Sequence, residues 1–402
     1  MTPQRFMLVA GEPSGDMLAA ELVAELRAAI QRRLTYSSNV QPLEADLAPR
    51  FFGAGGPRMA GAGVELAFDM MRHSVIGVPG PKAYLNFRAQ LNQLVTLACE
   101  REPHAIICVD FPLFNSVLAA AIKQRVRARH GPFNNWRPKL IKYISPQVWA
   151  SRENRVHKIA RDFDLVLSIF PFEKEWYAKR VPKLPVEFIG HPMIDRYANA
   201  AQSRPMNDPS QPPRLVLLPG SRRAELRRHL PPMLGAWAII RQKFSSLTAR
   251  MVLPSDALVE QAKTSGVTGA GIEIRLGGLA EVLPEADLVI SKTGTVTMEC
   301  AFFGVPAVTF YKTSWITYEI GKRIVKVKSL TMPNLLANEQ VFPEFVQGDV
   351  TAENLAKAAL ELLGDARRRE SVKAKLKKVT GSLGEPGASR RAAEAILKLI
   401  RK

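Results

Sequence analysis

Apolar residues along this chain come in two alternating textures. Short runs are apolar almost throughout, as in "RFMLVAG", "HAIICVDFP" and "FDLVLSIFPFE". Between them lie longer stretches in which apolar positions return every third or fourth residue. The first such stretch, "DMLAAELVAELRAAIQRR", carries Leu18, Leu22, Leu26 and Ile30 on one stripe, as a helix with one buried face requires. A strand with no polar side belongs in a parallel sheet covered by helices on both faces, and the alternation of strand and helix predicts that α/β architecture. "PRFFGAGG", "PKLIKYISP" and "VEFIGHP" supply further strands in the first half, and "NSVLAAAIKQRVRAR" a further helix.

From about Asp195 to Pro213 the pattern breaks. "AQSRPMNDPSQPP" is rich in Pro, Ser and Asn and reads as a linker or exposed loop. A second alternating series follows, through "PRLVLLPGSR", "ARMVLPS", "IEIRLGG", "ADLVISKTG" and "PAVTFYK". The expected fold is α/β, with two doubly wound domains over 1–195 and 196–380 facing a cleft. A C-terminal helix over 381–402 is expected to pack back toward the first domain. In such sheets ligands bind beyond the carboxyl ends of the strands.

The length of 402 residues agrees with two domains. No apolar stretch is long enough to span a membrane, and the N-terminus lacks a basic, apolar, cleavable leader. Three cysteines, Cys99, Cys108 and Cys300, fit reduced thiols in a cytoplasm. The formal charge of +19 calls for an anionic partner, although part of it lies in a basic helical tail ("RRR" at 367–369, "KAKLKK" at 373–378) that reads equally well as a solvated face. Aromatics are not interleaved with the basic residues and no paired zinc-ligand motif occurs, so nucleic acid is not expected.

Four strand ends carry chemistry. "LVLLP" runs into Gly220-Ser221-Arg222, and "ADLVIS" into Lys292-Thr293-Gly294-Thr295. Backbone N–H groups, hydroxyls and cations on such loops suit a diphosphate. Glu299, one turn further, reads either as an acceptor for ribose hydroxyls or as a surface helix residue. In the first half, Asp110 ends the strand "AIICV" and Asn115 lies just inside the next helix. Asp110 reads either as a general base or as a helix N-cap, and His191 as a cleft residue or a hinge. The loop Gly11-Glu12-Pro13-Ser14-Gly15-Asp16 lacks the P-loop lysine and carries two carboxylates, so it suits a neutral ligand better than a phosphate. Asp162-Phe163-Asp164 imitates a metal-binding pair but precedes its strand, at the end away from ligands. No metal site is expected.

Taken in order, "AGEPSGD", "YISPQVWASR", "FDLVLSIFPFEKEWY", "FIGHPMID", "LLPGSRRAEL", "TGTVTMECA" and "MPNLLANEQVFPEFVQGDVTAENLA" resemble the lipid-A-disaccharide synthase family over nearly the whole chain. The resemblance implies an inverting glycosyltransferase of GT-B type, built from two Rossmann-like domains, with no metal or other cofactor. Its donor would be UDP-2,3-diacylglucosamine, its acceptor 2,3-diacylglucosamine 1-phosphate, and its products a β-1,6-linked disaccharide and UDP. Asp110 matches the family's general base. Glu12, Ser14, Asp16, Asn115 and His191 fall on the acceptor side. Gly220, Ser221, Arg222, Lys292, Thr293, Gly294, Thr295, Glu299, Asn334, Glu344 and Gln347 fall on the UDP side. The implied location is cytoplasmic, peripheral at an anionic inner membrane face, with room for a homodimer.

The chain departs from the family at Leu113, where a second aspartate is usual, and at Gly80, where a glutamate is usual. Ser151 replaces a tryptophan and Lys292 a small residue. The first two changes fall in the acceptor half and leave open a related transferase with another acylated acceptor; a catalytically silent sugar-nucleotide- or lipid-binding homologue is the further alternative. The stretch from Tyr84 to Leu97 reads as a membrane-docking helix or as an ordinary surface helix.

Overall fold

The computed structural model describes residues 3–37, 48–71, 81–202 and 212–401. Gly80 lies outside them, as do 203–211 of the expected linker. The chain divides into two compact units, Met1–Asp195 with Gly384–Lys402, and Arg196–Leu383.

In the first unit, in chain order, come β1 (Arg5–Ala10), α1 (Pro13–Ser37), β2 (Arg50–Gly55), α2 (Pro57–Gly61), β3 (Glu65–Asp69), α3 (Pro81–Arg101), β4 (Ala105–Val109) and α4 (Pro112–Arg129). Then follow β5 (Lys139–Tyr143), α5 (Arg155–Asp162), β6 (Leu165–Ser168), α6 (Pro171–Ala178), β7 (Val186–Phe188) and α7 (Pro192–Gln202), which carries the chain across the boundary. All pairings are parallel, and the strands lie in the order β3-β2-β1-β4-β5-β6-β7.

The strands are apolar throughout because both faces are covered. Phe6, Leu8 and Ala10 point to one side, among Leu18, Leu22 and Leu26 of α1. Met7 and Val9 point to the other, among Leu94 and Ala98 of α3 and Leu118 and Ile122 of α4. Each face excludes water with aliphatic and aromatic side chains, and that burial is the main favourable term for the unit.

The second unit repeats the plan with β8 (Arg214–Leu218), α8 (Arg223–Lys243), β9 (Thr248–Leu253), α9 (Asp256–Thr264), β10 (Ile272–Leu276), α10 (Leu279–Val282), β11 (Leu288–Lys292), α11 (Val296–Phe302), β12 (Ala307–Tyr311), α12 (Trp315–Ile324), α13 (Met332–Ala337), β13 (Glu344–Val346), α14 (Ala352–Gly364) and α15 (Ala366–Gly381). Its strand order, β10-β9-β8-β11-β12-β13, reverses at its first strand in the same way.

The last helix, α16 (Ala388–Ile400), belongs to the first unit. Ala392, Ala393, Ile396 and Leu397 join the α1 side of that core. Asp195 accepts hydrogen bonds from the N–H groups of Gly387 and Ala388 at the start of α16, and Arg391 donates to the Ile189 carbonyl at 2.7 Å. A carboxylate at that helix N-terminus also meets the positive end of the dipole. Two strands went unpredicted, β3 and β13. Both are edge strands, β3 of mixed polarity with no buried position and β13 only three residues long, so neither shows an apolar run. The expected linker begins as helix, since α7 continues to Gln202.

Glu173, on α6, is fully buried. It accepts from the indole N–H of Trp149 at 3.1 Å and from the N–H of Phe170 at 3.2 Å. Burial pushes its pKa from 4.5 up to about 7, against the pull of these hydrogen bonds. The folded state therefore binds this proton more tightly than the unfolded chain. Its contribution to stability is complete below about pH 4.5 and is lost as pH rises through 7. Urea unfolding across pH 4.5–8 should show a decline on the order of 3 kcal/mol from this group. Glu173→Gln should flatten it.

Candidate active site

The loop after β1 and the turn after β4 meet at the point where the strand order of the first sheet reverses. A Cβ on Gly11 would lie 2.3 Å from the Phe111 ring, and one on Gly15 would lie 3.6 Å from Asp110 Cβ. Only glycine at position 11 lets the two segments touch.

Asp110 and Phe111 both have φ of 45°, successive non-glycine residues in the left-handed region. That conformation is costly and must be held by its surroundings. The Asp110 N–H donates to the Tyr143 carbonyl at 2.6 Å. Its own carbonyl accepts from Asn115 Nδ2 at 2.8 Å and Lys142 Nζ at 3.0 Å. Asn115 is buried inside α4 and also donates to the Val109 carbonyl at 3.2 Å, so its amide clamps the turn. The N-cap of α4 is Phe111, with no side-chain cap. The capping alternative for Asp110 is thereby removed, and its carboxylate accepts no hydrogen bond from the described residues.

Asp16 departs from expectation. Its carboxylate is buried and accepts from the N–H groups of Gly56 (2.8 Å), Arg58 (3.0 Å) and Met59 (3.1 Å), holding the start of α2. With its oxygens so engaged it braces the loop instead of meeting a ligand. Ser14 is exposed and Glu12 half-buried. His191 Nδ1 accepts from the N–H of Met193 at 3.2 Å at the start of α7, and its ring lies 5.6 Å from Phe170. Asp162 pairs with Arg161 and Asp164 with Lys123, at the amino end of β6 as expected.

Lys142 was not singled out from sequence. It is 1% exposed on β5, with Nζ 5.8 Å from the Phe163 ring centroid. Burial lowers its pKa, while Cys108 and Asp110 oppose that shift.

In the second unit a pocket of about 510 Å³ opens at the carboxyl ends of β8 and β11. It gathers Gly220, Ser221, Arg222, Lys292, Gly294, Thr295 and Glu299. Gly220 (φ 128°) and Gly294 (φ 153°) make the turns that expose these loops. Glu299 forms one wall. Burial raises its pKa, and the Tyr197 hydroxyl and the Arg196 charge work the other way. Thr293 is buried behind the pocket, its N–H donating to the Phe310 carbonyl at 2.8 Å. Val252, Leu253, Pro254, Gly277, Gly278 and Leu279 complete the lining from the ends of β9 and β10. They give an apolar and glycine-rich wall that no polar motif announced.

Asn334, Glu344 and Gln347 do not line this pocket. Asn334 is buried, donates to the Phe342 carbonyl and Glu344, and accepts from the N–H groups of Val341 and Phe342, all within 2.9 Å. Glu344 accepts from the N–H groups of Leu330 and Thr331, both at 2.9 Å, and from the Thr331 hydroxyl. The Gln347 amide bonds both backbone groups of Thr313. Their polar atoms tie the loops around β13 together.

Glu225, also missed, is the counter-charge of the pocket. Oε2 accepts from the Ser221 N–H at 2.9 Å and Oε1 from Lys292 Nζ at 3.0 Å, with Arg222 3.8 Å away. Burial would raise its pKa, but the Ser221 N–H and the Lys292 charge outweigh burial and hold it below the usual range.

Two units, each a doubly wound parallel sheet with its loops gathered at the carboxyl ends of the strands, have the GT-B fold. Solved structures similar in fold cover nearly all of this chain. A Staphylococcus aureus MnaA–UDP structure matches with a TM-score of 0.61 at 12% identity, covering 99% of this chain and 98% of that one. Acinetobacter baumannii MurG matches with a TM-score of 0.55 at 15% identity, covering 98% and 100%. The family model for lipid-A-disaccharide synthetase matches residues 6–399. The lipid-A-disaccharide synthase of Myxococcus xanthus is 36% identical over 407 residues, 99% of this chain and 98% of that one. That of Geobacter metallireducens is 34% identical over 412 residues, with the same coverage. The chain belongs to the lipid-A-disaccharide synthase family of glycosyltransferases.

Removing either cation of the pocket should weaken its hold on UDP. Arg222→Ala and Lys292→Ala should each raise the Kd about tenfold, or about 1.4 kcal/mol, by titration calorimetry. Glu225→Gln, which frees Lys292, should lower it.

Proposed function

We propose that this chain transfers the diacylglucosaminyl group of UDP-2,3-diacylglucosamine to the 6-hydroxyl of 2,3-diacylglucosamine 1-phosphate, releasing UDP. Asp110 takes the hydroxyl proton as the oxygen attacks the anomeric carbon from the face opposite the diphosphate. The C–O bond to UDP breaks as the new glycosidic bond forms, and the configuration inverts. The charge that develops on the leaving diphosphate is met by Arg222, Lys292 and the N–H groups of the Gly220 and Gly294 loops. Glu299 accepts from the ribose hydroxyls. We assign no metal to the reaction. Arg222 and Lys292 supply the positive charge that the leaving group requires.

The observation that carries this reading is the Asp110 turn. Buried Asn115 and Lys142 hold a strained backbone whose carboxylate accepts no hydrogen bond from the described residues. Asp110→Asn should lower kcat by about 10²- to 10³-fold with KM for both substrates changed less than threefold, measured as disaccharide formed from the purified components. An unchanged kcat would overturn the assignment.

Both substrates are acylated, so we further propose that the protein works at the anionic inner face of a membrane without crossing it. Among the described residues no helix is long and apolar enough to span one. Helix α12 supports contact. None of its residues is buried, Trp315 (70%), Ile316 (68%) and Ile320 (53%) are exposed, and Lys322, Arg323, Lys326 and Lys328 follow. Aromatic and aliphatic residues beside a basic cluster suit an interfacial helix. On α3, Tyr84 and Leu85 are exposed as well, while Leu94 and Ala98 belong to the core. Flotation with phosphatidylglycerol vesicles should retain the wild type and lose much of a Trp315→Ser/Ile316→Ser variant, and salt should weaken both.

A further inference from the structure

The proposed reaction leaves one feature of the first unit unused. A groove of about 310 Å³ runs between α4 and α5. Both helices start from the carboxyl edge of the sheet, so they descend side by side in the same direction. Helix α4 contributes Leu113, Val117 and Ala120 to the groove, and α5 contributes Arg155, Lys158 and Ile159. These positions recur at helical spacing on each side, so the slot extends for about 10 Å, two turns of helix. Val148 and Phe163 are buried beneath it.

The mouth has a distinct chemistry. Leu113, three residues past Asp110, is 67% exposed, and Val117 is exposed below it. Arg155 stands beside Arg152, and partial burial together with that like charge lowers its pKa. The carboxylates nearby are engaged elsewhere, Glu153 with Arg180 and Asp162, at the far end of the groove, with Arg161, so none is shown paired with Arg152, Arg155 or Lys158 among the described residues. An apolar slot opening beneath unpaired cations is complementary to an amphiphile with an anionic head and an alkyl tail.

We propose that this groove is the acceptor subsite, taking one acyl chain between α4 and α5 with the sugar phosphate at Arg155 and Lys158. The proposal rests on the reaction above for the identity of the ligand. The geometry suits it: in the acceptor, the phosphate on C1 neighbours the acyl group on C2, so one mouth serves both. The 6-hydroxyl, at the other end of the ring, is left toward Asp110. Leu113 gains a purpose as a specificity residue. An aspartate at that position would place a carboxylate between an alkyl chain and a phosphate, and leucine removes the repulsion.

The test uses the full-length protein with alkyl phosphates of six to fourteen carbons, titrated below their micelle concentrations. Affinity should rise with chain length and then level off once the slot is filled. Ala120→Trp should shorten the chain at which it levels. Arg155→Ala should weaken all the alkyl phosphates about tenfold and leave the matching alcohols unchanged. In the transferase assay, Leu113→Asp and Ala120→Trp should raise KM for the acceptor at least tenfold with KM for the donor unchanged, and an unchanged circular dichroism spectrum and thermal unfolding transition report that each variant is folded. Affinity independent of chain length, or variants with wild-type acceptor KM, would overturn the groove while leaving the reaction intact. Chain-length-dependent binding in a protein that forms no disaccharide would overturn the reaction and leave the groove standing.

Discussion

Everything chemical in this protein follows from the reversal of strand order at β1 and at β8. In a parallel sheet each right-handed crossover lays its helix on one face, and the face changes when the order reverses. The helices after the two central strands therefore diverge, and a gap opens at the carboxyl end of the sheet. Four segments reach these gaps: Gly11–Asp16 and Asp110–Asn115 at β1 and β4, Gly220–Arg222 and Lys292–Glu299 at β8 and β11. The same plan is used twice and filled with opposite chemistry. One gap receives a carboxylate in a strained turn, the other cations and glycine loops.

The strained turn shows how the fold sustains its site. Two left-handed residues in succession would relax in an isolated strand–helix connection. Here the Asp110 carbonyl is gripped by Asn115 and Lys142, the Phe111 ring fills the space that Gly11 lacks, and the Asp110 N–H is tied to β5. Asn115 and Lys142 are almost inaccessible to water, so losing either bond would leave buried polar groups unsatisfied. The backbone is held by groups that cannot easily let go, and the side chain stays available.

The architecture was legible because burial on both faces of a sheet writes itself as continuous apolar runs. Leu18, Leu22, Leu26 and Ile30, read as one stripe, are all buried. The pocket residues beside glycine were legible too, since Gly220 and Gly294 mark turns next to cations and hydroxyls. What could not be read was the direction in which a polar side chain spends its hydrogen bonds. Asp16, Asn334, Glu344 and Gln347 look like ligand contacts in a motif, yet each is satisfied by backbone groups brought close only by the folded chain. Glu225 and Lys142 escaped for the converse reason. One looks like a solvent-facing helix residue and the other like a polar interruption in a strand, and their partners are distant in sequence.

The electrostatics of the pocket at the carboxyl ends of β8 and β11 turn on that distant pairing. A cluster of bare cations would bind anions without discrimination and would repel itself in the folded chain. Glu225 prevents both by occupying Lys292 and the Ser221 N–H. A diphosphate must then compete with a carboxylate already in place, so binding exchanges one anion for another. The exchange favours the ligand with more charge and more acceptor oxygens, a diphosphate over a monovalent anion. Lys292 thus adds positive charge to the cradle, and Glu225 keeps that charge from becoming a trap.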